Sequence, residues 1–236
     1  MLLENGAYEG DYLSGWTAGV LDDLGVRSFG DLRTDDPGGD GRIHHRYSLV
    51  VTASDISRRR LLQLPWDYEQ YGLDPDEQPV SAAVRASASI PFLFEPATLA
   101  GPRGTSTLVD GGLLSNYPIT IFDRMDERRP RWPTLGVRLD ALGIAADRER
   151  VSPVRGPLAM GVALVETSIE ANQAEHVLDP CNVARSIAVD TGGVSAVDFG
   201  LGEGEQAALL EAGRCAAGTF LDGWDFERWL GRCRGI

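Results

Sequence analysis

The chain has 236 residues, with 35 Asp+Glu against 22 Lys+Arg and a formal net charge of −13. Every basic residue is Arg. That balance excludes a nucleic-acid binder, which needs a basic face to displace counterions, and it disfavours docking on anionic lipid by bulk electrostatics. An apolar content of 43% is enough for a core and argues against disorder as the main state.

Residues 10–24 carry Leu13, Trp16, Val20, Leu21 and Leu24 at intervals that predict one apolar helix face. Residues 35–41, Asp-Asp-Pro-Gly-Gly-Asp-Gly, read as a loop. Residues 47–53 read as a buried strand, because Leu49-Val50-Val51 does not alternate, and residues 58–64 as a second short strand. Residues 67–79 are acidic and contain Pro, which predicts an exposed loop. A helix is expected over 79–88, with Val80, Ala83, Val84 and Ser87 on one side, stopped by Pro91. Leu108-Val109 is a strand running into the turn Asp110-Gly111-Gly112, and a helix is expected over 117–125 after Asn116.

Further along, residues 134–139 and 186–189 read as strands. Residues 158–178 read as a long helix with Val162, Val165, Ile169 and Gln173 on one face. Residues 203–221 read as a helix turning Leu209, Leu210, Ala217, Phe220 and Leu221 toward a core. Gly213 inside that helix costs about 1 kcal/mol relative to Ala, so close packing against a neighbour is expected there. Strands alternating with helices predict an α/β domain with a mainly parallel sheet.

No run approaches the ~18–20 apolar residues of a membrane span. Residues 1–6 lack the basic and apolar regions of a signal peptide, so a cytoplasmic protein is expected. Cys181, Cys215 and Cys233 are odd in number and scattered, which predicts reduced thiols and no zinc site. His44 and His45 are adjacent and would point to opposite faces of a strand, and His176 stands alone. No metal and no cofactor are expected.

Two segments carry chemistry. In the first, Thr107 to Pro118, two β-formers lead to the carboxylate of Asp110 at a strand end. Gly111 and Gly112 then let the backbone turn and leave space beside it. Open α/β sheets place ligands beyond the carboxyl ends of their strands, where a carboxylate can serve as a general base. Taken alone, Asp-Gly-Gly is also a common turn. In the second, Val84 to Pro96, the small residues of Ala86-Ser87-Ala88-Ser89 lead through Pro91 into Phe92 and Phe94. A tightly packed helix end accounts for that segment equally well.

Together these segments resemble the patatin-like phospholipase family, whose members carry Ala-Ser-x-Ser/Ala-Ile-Pro-x-x-Phe and then Val-Asp-Gly-Gly/Ala-x-x-x-Asn-x-Pro. The resemblance extends to Gly10-Asp11 with Leu13 and Trp16, to Phe29-Gly30-Asp31-Leu32, to Thr52-Ala53-Ser54-Asp55, and to residues 187–199 with the helix after them. It implies a three-layer α/β/α domain over residues 1–222, followed by a C-terminal tail at 223–236. It also implies a serine–aspartate dyad acting on lipid or other acyl esters without a metal. Asp110 would be the general base, with Gly111 and Gly112 forming its turn. Phe92, Phe94 and Asn116 would be candidate substrate contacts.

The sequence departs from that pattern in one respect. Gly-x-Ser-x-Gly is absent, and so is the Gly-rich oxyanion loop that should precede it; Gly38-Gly39-Asp40-Gly41 lies after the first helix. The expectation is therefore an N-terminally incomplete domain, inactive alone, with Leu49-Val50-Val51 on an uncovered strand edge and a missing N-terminal half as its natural partner. Two other readings stand beside the hydrolase. One is a catalytically inactive remnant or interaction module of the same fold. The other is transient contact with a membrane surface through Arg58-Arg59-Arg60, Leu61, Leu62, Leu64 and Trp66.

Overall fold

The structure is a computed structural model that describes residues 6–34, 46–140, 154–156, 159–165, 167–168, 179–192, 194 and 200–236. The expected loop at 35–41, residues His44, His45 and His176, and most of the helix expected over 158–178 lie outside the described residues; of that helix, residues 159–165 and 167–168 are helical. The chain divides into two compact units. One is drawn from Met1–Pro118, Arg124–Glu127 and Val154–Ala174, the other from Ile119–Asp123, Arg128–Pro153 and Glu175–Ile236.

In the first unit, β1 (Gly6–Tyr8) leads into α1 (Asp11–Asp23). Next come β2 (Val51–Asp55), β3 (Arg60–Leu64), α2 (Val80–Ser87), β4 (Phe92–Phe94), β5 (Ala97–Gly101) and β6 (Gly104–Asp110). The main sheet has the order β3-β2-β6-β5, and all its pairs are antiparallel. This corrects the expected mainly parallel sheet. Only four residues, 56–59, separate β2 from β3, and only Pro102 and Arg103 separate β5 from β6. Connections this short join antiparallel neighbours, whereas a parallel crossover needs a dozen residues or more. Parallel pairing occurs outside this sheet, between β1 and β4.

The sheet order also corrects the expected exposed edge. β2 lies inside the sheet between β3 and β6, and Leu49, Val50 and Val51 are half-buried. One face packs on α2 through Ala53, Leu62, Leu64 and Leu108 against Val80, Ala83 and Ala86. On the opposite face the paired Ser54 and Val109 are buried too.

Residues 67–79 are not an exposed loop. Residues Trp66–Tyr71 and Pro75–Glu77 form tight 3₁₀ turns that bury Tyr68 and Tyr71 in the core. The spacing of three between these tyrosines puts them on one side of a 3₁₀ turn. The Tyr71 hydroxyl donates to Asp55 Oδ2 at 2.5 Å, the Arg58 N–H donates to Asp55 Oδ1 at 2.9 Å, and the Arg58 guanidinium lies 4.0 Å over the Tyr71 ring. Burial pushes the Asp55 carboxyl up, but the hydrogen bonds from Tyr71, the Arg58 N–H and Ser106 outweigh it and hold Asp55 below the usual carboxylate range. Burial, with Asp55 as neighbour, pushes the Tyr71 phenol up to about 12. This cluster stabilises the unit above the ordinary carboxylate pKa, and that contribution is lost as pH falls through the lower folded-state value.

No helix forms over 117–125, where the residues adopt turns. Arg124 grips Asp126 through two bonds, of 2.7 and 2.5 Å. Residues two apart do not face each other on an α-helix, so this pair selects a chain reversal.

The second unit contains β7 (Gly136–Asp140) paired in parallel with β8 (Ser186–Asp190), the single turn α3 (Pro180–Val183), α4 (Glu203–Gly223) and α5 (Phe226–Cys233). Buried Arg185 makes two bonds of 2.6 Å to Asp123 and one of 2.9 Å to Asn182 Oδ1. Cys181 and Cys233 form a disulfide with a Cα–Cα distance of 5.6 Å, and Trp229 Nε1 donates to the Cys181 carbonyl at 2.9 Å. The disulfide corrects the expectation of reduced thiols, because folding closes a separation of 52 residues into bridging range.

α4 lies where the sequence places it, but it has no fully buried residue, and Leu210 and Leu221 are exposed. A β-carbon at Gly213 would meet no atom within 4 Å, so the expected close packing is absent and the helix carries the full propensity cost. Gly213→Ala is therefore expected to stabilise the protein by about 1 kcal/mol. A denaturant midpoint that stays put or falls would show packing that this geometry lacks.

Candidate active site

β6 delivers a carboxylate to the end of the main sheet. Its buried Ser106, Leu108 and Val109 fix the strand, and its last residue, Asp110, is registered opposite Ala53 of β2. The Asp110 N–H donates to the Ser89 carbonyl, just beyond α2, at 2.9 Å. The chain then turns sharply through Gly111–Leu113, and the Gly112 N–H donates to Asp110 Oδ1 at 2.7 Å. The Leu114 and Ser115 N–H groups close the turn on the Gly111 carbonyl at 3.1 and 2.9 Å.

The two glycines serve different purposes. A β-carbon at Gly111 would lie 2.4 Å from Thr52 Oγ1 and 2.5 Å from the Thr52 carbonyl oxygen, so only glycine lets the turn press against β2. A β-carbon at Gly112 would lie 2.8 Å from Asn116 Oδ1 and 3.0 Å from Asp110 Oδ1. Gly112 therefore leaves room for the carboxylate and the Asn116 side chain to flank it. The structure thus brings together Asp110, Gly111, Gly112 and Asn116.

Burial raises the Asp110 pKa above its ordinary value, and the Gly112 hydrogen bond opposes that rise only in part. A half-buried carboxylate whose proton affinity is raised at the mouth of a strand is suited to accept a proton from a nucleophile.

Residues beyond the motif hold this carboxylate in place. Ser89 is fully buried. Its hydroxyl donates to the Arg85 carbonyl at 2.8 Å and accepts from Arg85 Nη1 at 2.5 Å. Arg85 Nη2 donates to the carbonyls of Glu9 at 2.6 Å and Glu95 at 2.8 Å. Gly10 has φ +79, and a β-carbon there would lie 2.3 Å from Arg85 Nε. One guanidinium therefore ties together the segment before α1, the end of β4 and the residue whose carbonyl holds Asp110. The sequence leaves this stretch open between a chemistry-bearing segment and helix-end packing. The available signal was Arg85 and Ser89 four apart across the end of α2, a spacing at which helical side chains meet.

The two phenylalanines lie on β4, which pairs with β1. Phe92 is 42% exposed with φ 70. Its ring lies over Gly161, where a β-carbon would come within 2.7 Å of Cζ. Phe94 is half-buried, with the Arg85 guanidinium 5.8 Å from its ring centre and Tyr8 at 6.1 Å.

In the Arg58–Arg60 stretch the Arg58 and Arg60 side chains have partners within the protein. Leu62 and Leu64 are in the core, Arg58 lies over Tyr71, and Arg60 donates to Asp67 Oδ1 at 3.1 Å and also bonds Gln70. Among the described residues, no three His, Cys, Asp or Glu side chains cluster as metal ligands.

The chain is similar to known proteins at the level of both family and individual sequence. A sequence model described as patatin-like phospholipase matches residues 1–123, a span that includes α2, β6 and the Asp110 turn. The chain is also similar to the uncharacterized protein YqhO of Bacillus subtilis (strain 168), at 37% identity over 224 residues, covering 94% of this chain and 69% of that protein.

The raised Asp110 pKa makes its ionised form costly above the ordinary carboxylate value and cost-free below it. Asp110→Asn keeps an oxygen for the Gly112 N–H and removes the charge. The variant is expected to melt above the wild type at about pH 7, with the difference vanishing at about pH 3. Equal or lower melting at neutral pH would show that the carboxylate is not desolvated.

Proposed function

The chain belongs to the patatin-like phospholipase family, and from that premise we propose that it is the base-bearing portion of a serine–aspartate lipid acyl hydrolase. The observation that carries this reading is Asp110, held at the end of β6 by Ser89 and Gly112 with its proton affinity raised by burial. In this reading Asp110 takes the proton from a serine hydroxyl as that oxygen attacks the ester carbonyl of an acyl chain. It does so directly, with no intervening histidine. Gly111 and Gly112 hold the turn, while Asn116, Phe92 and Phe94 contact substrate. The three-layer domain extends over residues 1–222, with 223–236 as an extension carrying α5.

The nucleophile is assigned to polypeptide outside these 236 residues. No Gly-x-Ser-x-Gly occurs in the sequence, and about three tenths of YqhO has no counterpart in the matched region. A second reading, a non-catalytic module that keeps the fold, draws on the same missing motif.

Assays on two polypeptides separate these readings. The 236-residue chain is expected to show neither fluorophosphonate labelling nor ester turnover. A longer polypeptide of the same gene that supplies Gly-x-Ser-x-Gly is expected to show both, and Asp110→Asn should lower its kcat by about 10⁶-fold, the scale seen when the general base of a serine hydrolase is removed. Turnover by the 236-residue chain that Asp110→Asn abolishes would place the nucleophile within these residues. Turnover indifferent to Asp110→Asn would remove the base, and no turnover by either polypeptide would favour the non-catalytic module.

A further inference from the structure

The second unit has little apolar core. Among the described residues its buried apolar side chains are Ile119, Val189, Trp229 and Leu230, and α4 has no fully buried residue. The main hydrophobic cluster lies wholly in the first unit. A unit with so small a core needs a covalent staple or its equivalent.

Two of those four side chains, Trp229 and Leu230, lie on α5. A helix of eight residues is not stable by itself, so α5 depends on what it docks against. The exposed Arg129–Glu227 ion pair contributes little. The other ties converge on Cys181. Cys233, the last residue of α5, is bonded to it, and Trp229 Nε1 donates to its carbonyl at 2.9 Å. The Arg185 guanidinium, which grips Asp123 and Asn182, lies 5.1 Å from the Trp229 ring centre. The disulfide therefore fastens α5 to the cluster that organises this unit. Loop closure over a separation of 52 residues favours the folded form by about 10³-fold.

The bond is also placed for exchange. Cys181 and Cys233 are half-buried, so a small thiol reaches them. Arg232 and Arg234 flank Cys233 in sequence, whereas the Asp179 carboxylate accepts from the Cys181 N–H at 2.7 Å. Positive surroundings favour a departing thiolate at Cys233, and the neighbouring carboxylate disfavours one at Cys181.

We propose that Cys181–Cys233 is a thiol–disulfide switch that closes α5 onto the second unit when oxidised and opens it when reduced by a dithiol. One thiolate of the dithiol attacks the Cys181 sulfur, and Cys233 leaves as a thiolate. The second thiolate of the dithiol then displaces Cys181. The protein gains two electrons and two protons, and the dithiol becomes a disulfide. Opening exposes Trp229 and Leu230. Glutathione disulfide supplies the oxidant for the return step, leaving as two reduced glutathiones.

The test is hydrogen exchange of the 236-residue chain, read by mass spectrometry after treatment with glutathione disulfide or with dithiothreitol, both without denaturant. Thiol titration is expected to give one free thiol, Cys215, in the oxidised chain and three in the reduced one. Reduction should lower the protection of residues 226–233 by at least about tenfold, toward the ~10³-fold scale of loop closure, and reoxidation should restore it. α2, in the first unit, is the internal reference and should keep its protection. Cys181→Ser and Cys233→Ser should each show the open pattern under both treatments, with protected α2 reporting that the chain is still folded. Cys215→Ser should behave as the wild type.

Three thiols after glutathione disulfide, or a bond that dithiothreitol reduces only in denaturant, would overturn the proposal. So would equal protection of α5 in both redox states, which would make the disulfide a passive link. Loss of protection in α2 together with α5 would also overturn it, because the change would then be global unfolding rather than opening of one helix.

Discussion

The first unit depends on a contact that leaves no space: the backbone of Gly111 pressed against Thr52 on the neighbouring strand. No side chain fits between them. The antiparallel register of β2 and β6, with Ala53 opposite Asp110, therefore continues directly into the turn. The Ser89 carbonyl fixes the same point from the α2 side through the Asp110 N–H. The Asp110 carboxylate is carried at this fixed point, and its burial raises its proton affinity. Pre-organisation of this kind lowers the cost of using a carboxylate as a base, because the desolvation is already in place before substrate arrives.

The turn after β6 is more legible in the sequence than the topology. Asp-Gly-Gly after a β-run reads as a turn at a strand end, because glycine permits backbone that other residues resist, and its reading as a base comes from the family resemblance. Short helices and strands with clear periodicity, such as α2 and β3, were also found near their true limits. The antiparallel order is not legible because pairing depends on connection lengths, and the sequence pattern shows only Leu108-Val109 of β6 and none of β5. Tyr68 and Tyr71 were missed because acidic neighbours masked their spacing of three. The pairing of Cys181 with Cys233 and the bond from Arg85 to the Glu9 carbonyl join residues far apart in sequence, for which a single sequence holds no local signal; only the Arg85–Ser89 spacing of four is local.

The site is built on unequal supports. Arg85 satisfies three neutral acceptors drawn from different segments, so the geometry at Ser89 and Asp110 is coupled to the residues leading into α1. The Asp55–Tyr71–Arg58 cluster fixes the other end of β2 with buried, mutually satisfied groups. β2 is thus pinned at both ends.

The central claim is that the end of β6 holds a desolvated carboxylate ready to accept a proton. It is tested most directly by following the Asp110 side-chain carboxyl carbon by NMR across an acid titration, with Asp110→Asn used to assign the resonance. The account predicts a midpoint above the ordinary Asp value of about 3.9, raised by burial of the carboxylate. A midpoint at or below that value would contradict it, and would make Asp110-Gly111-Gly112 a solvated turn with no special capacity as a base.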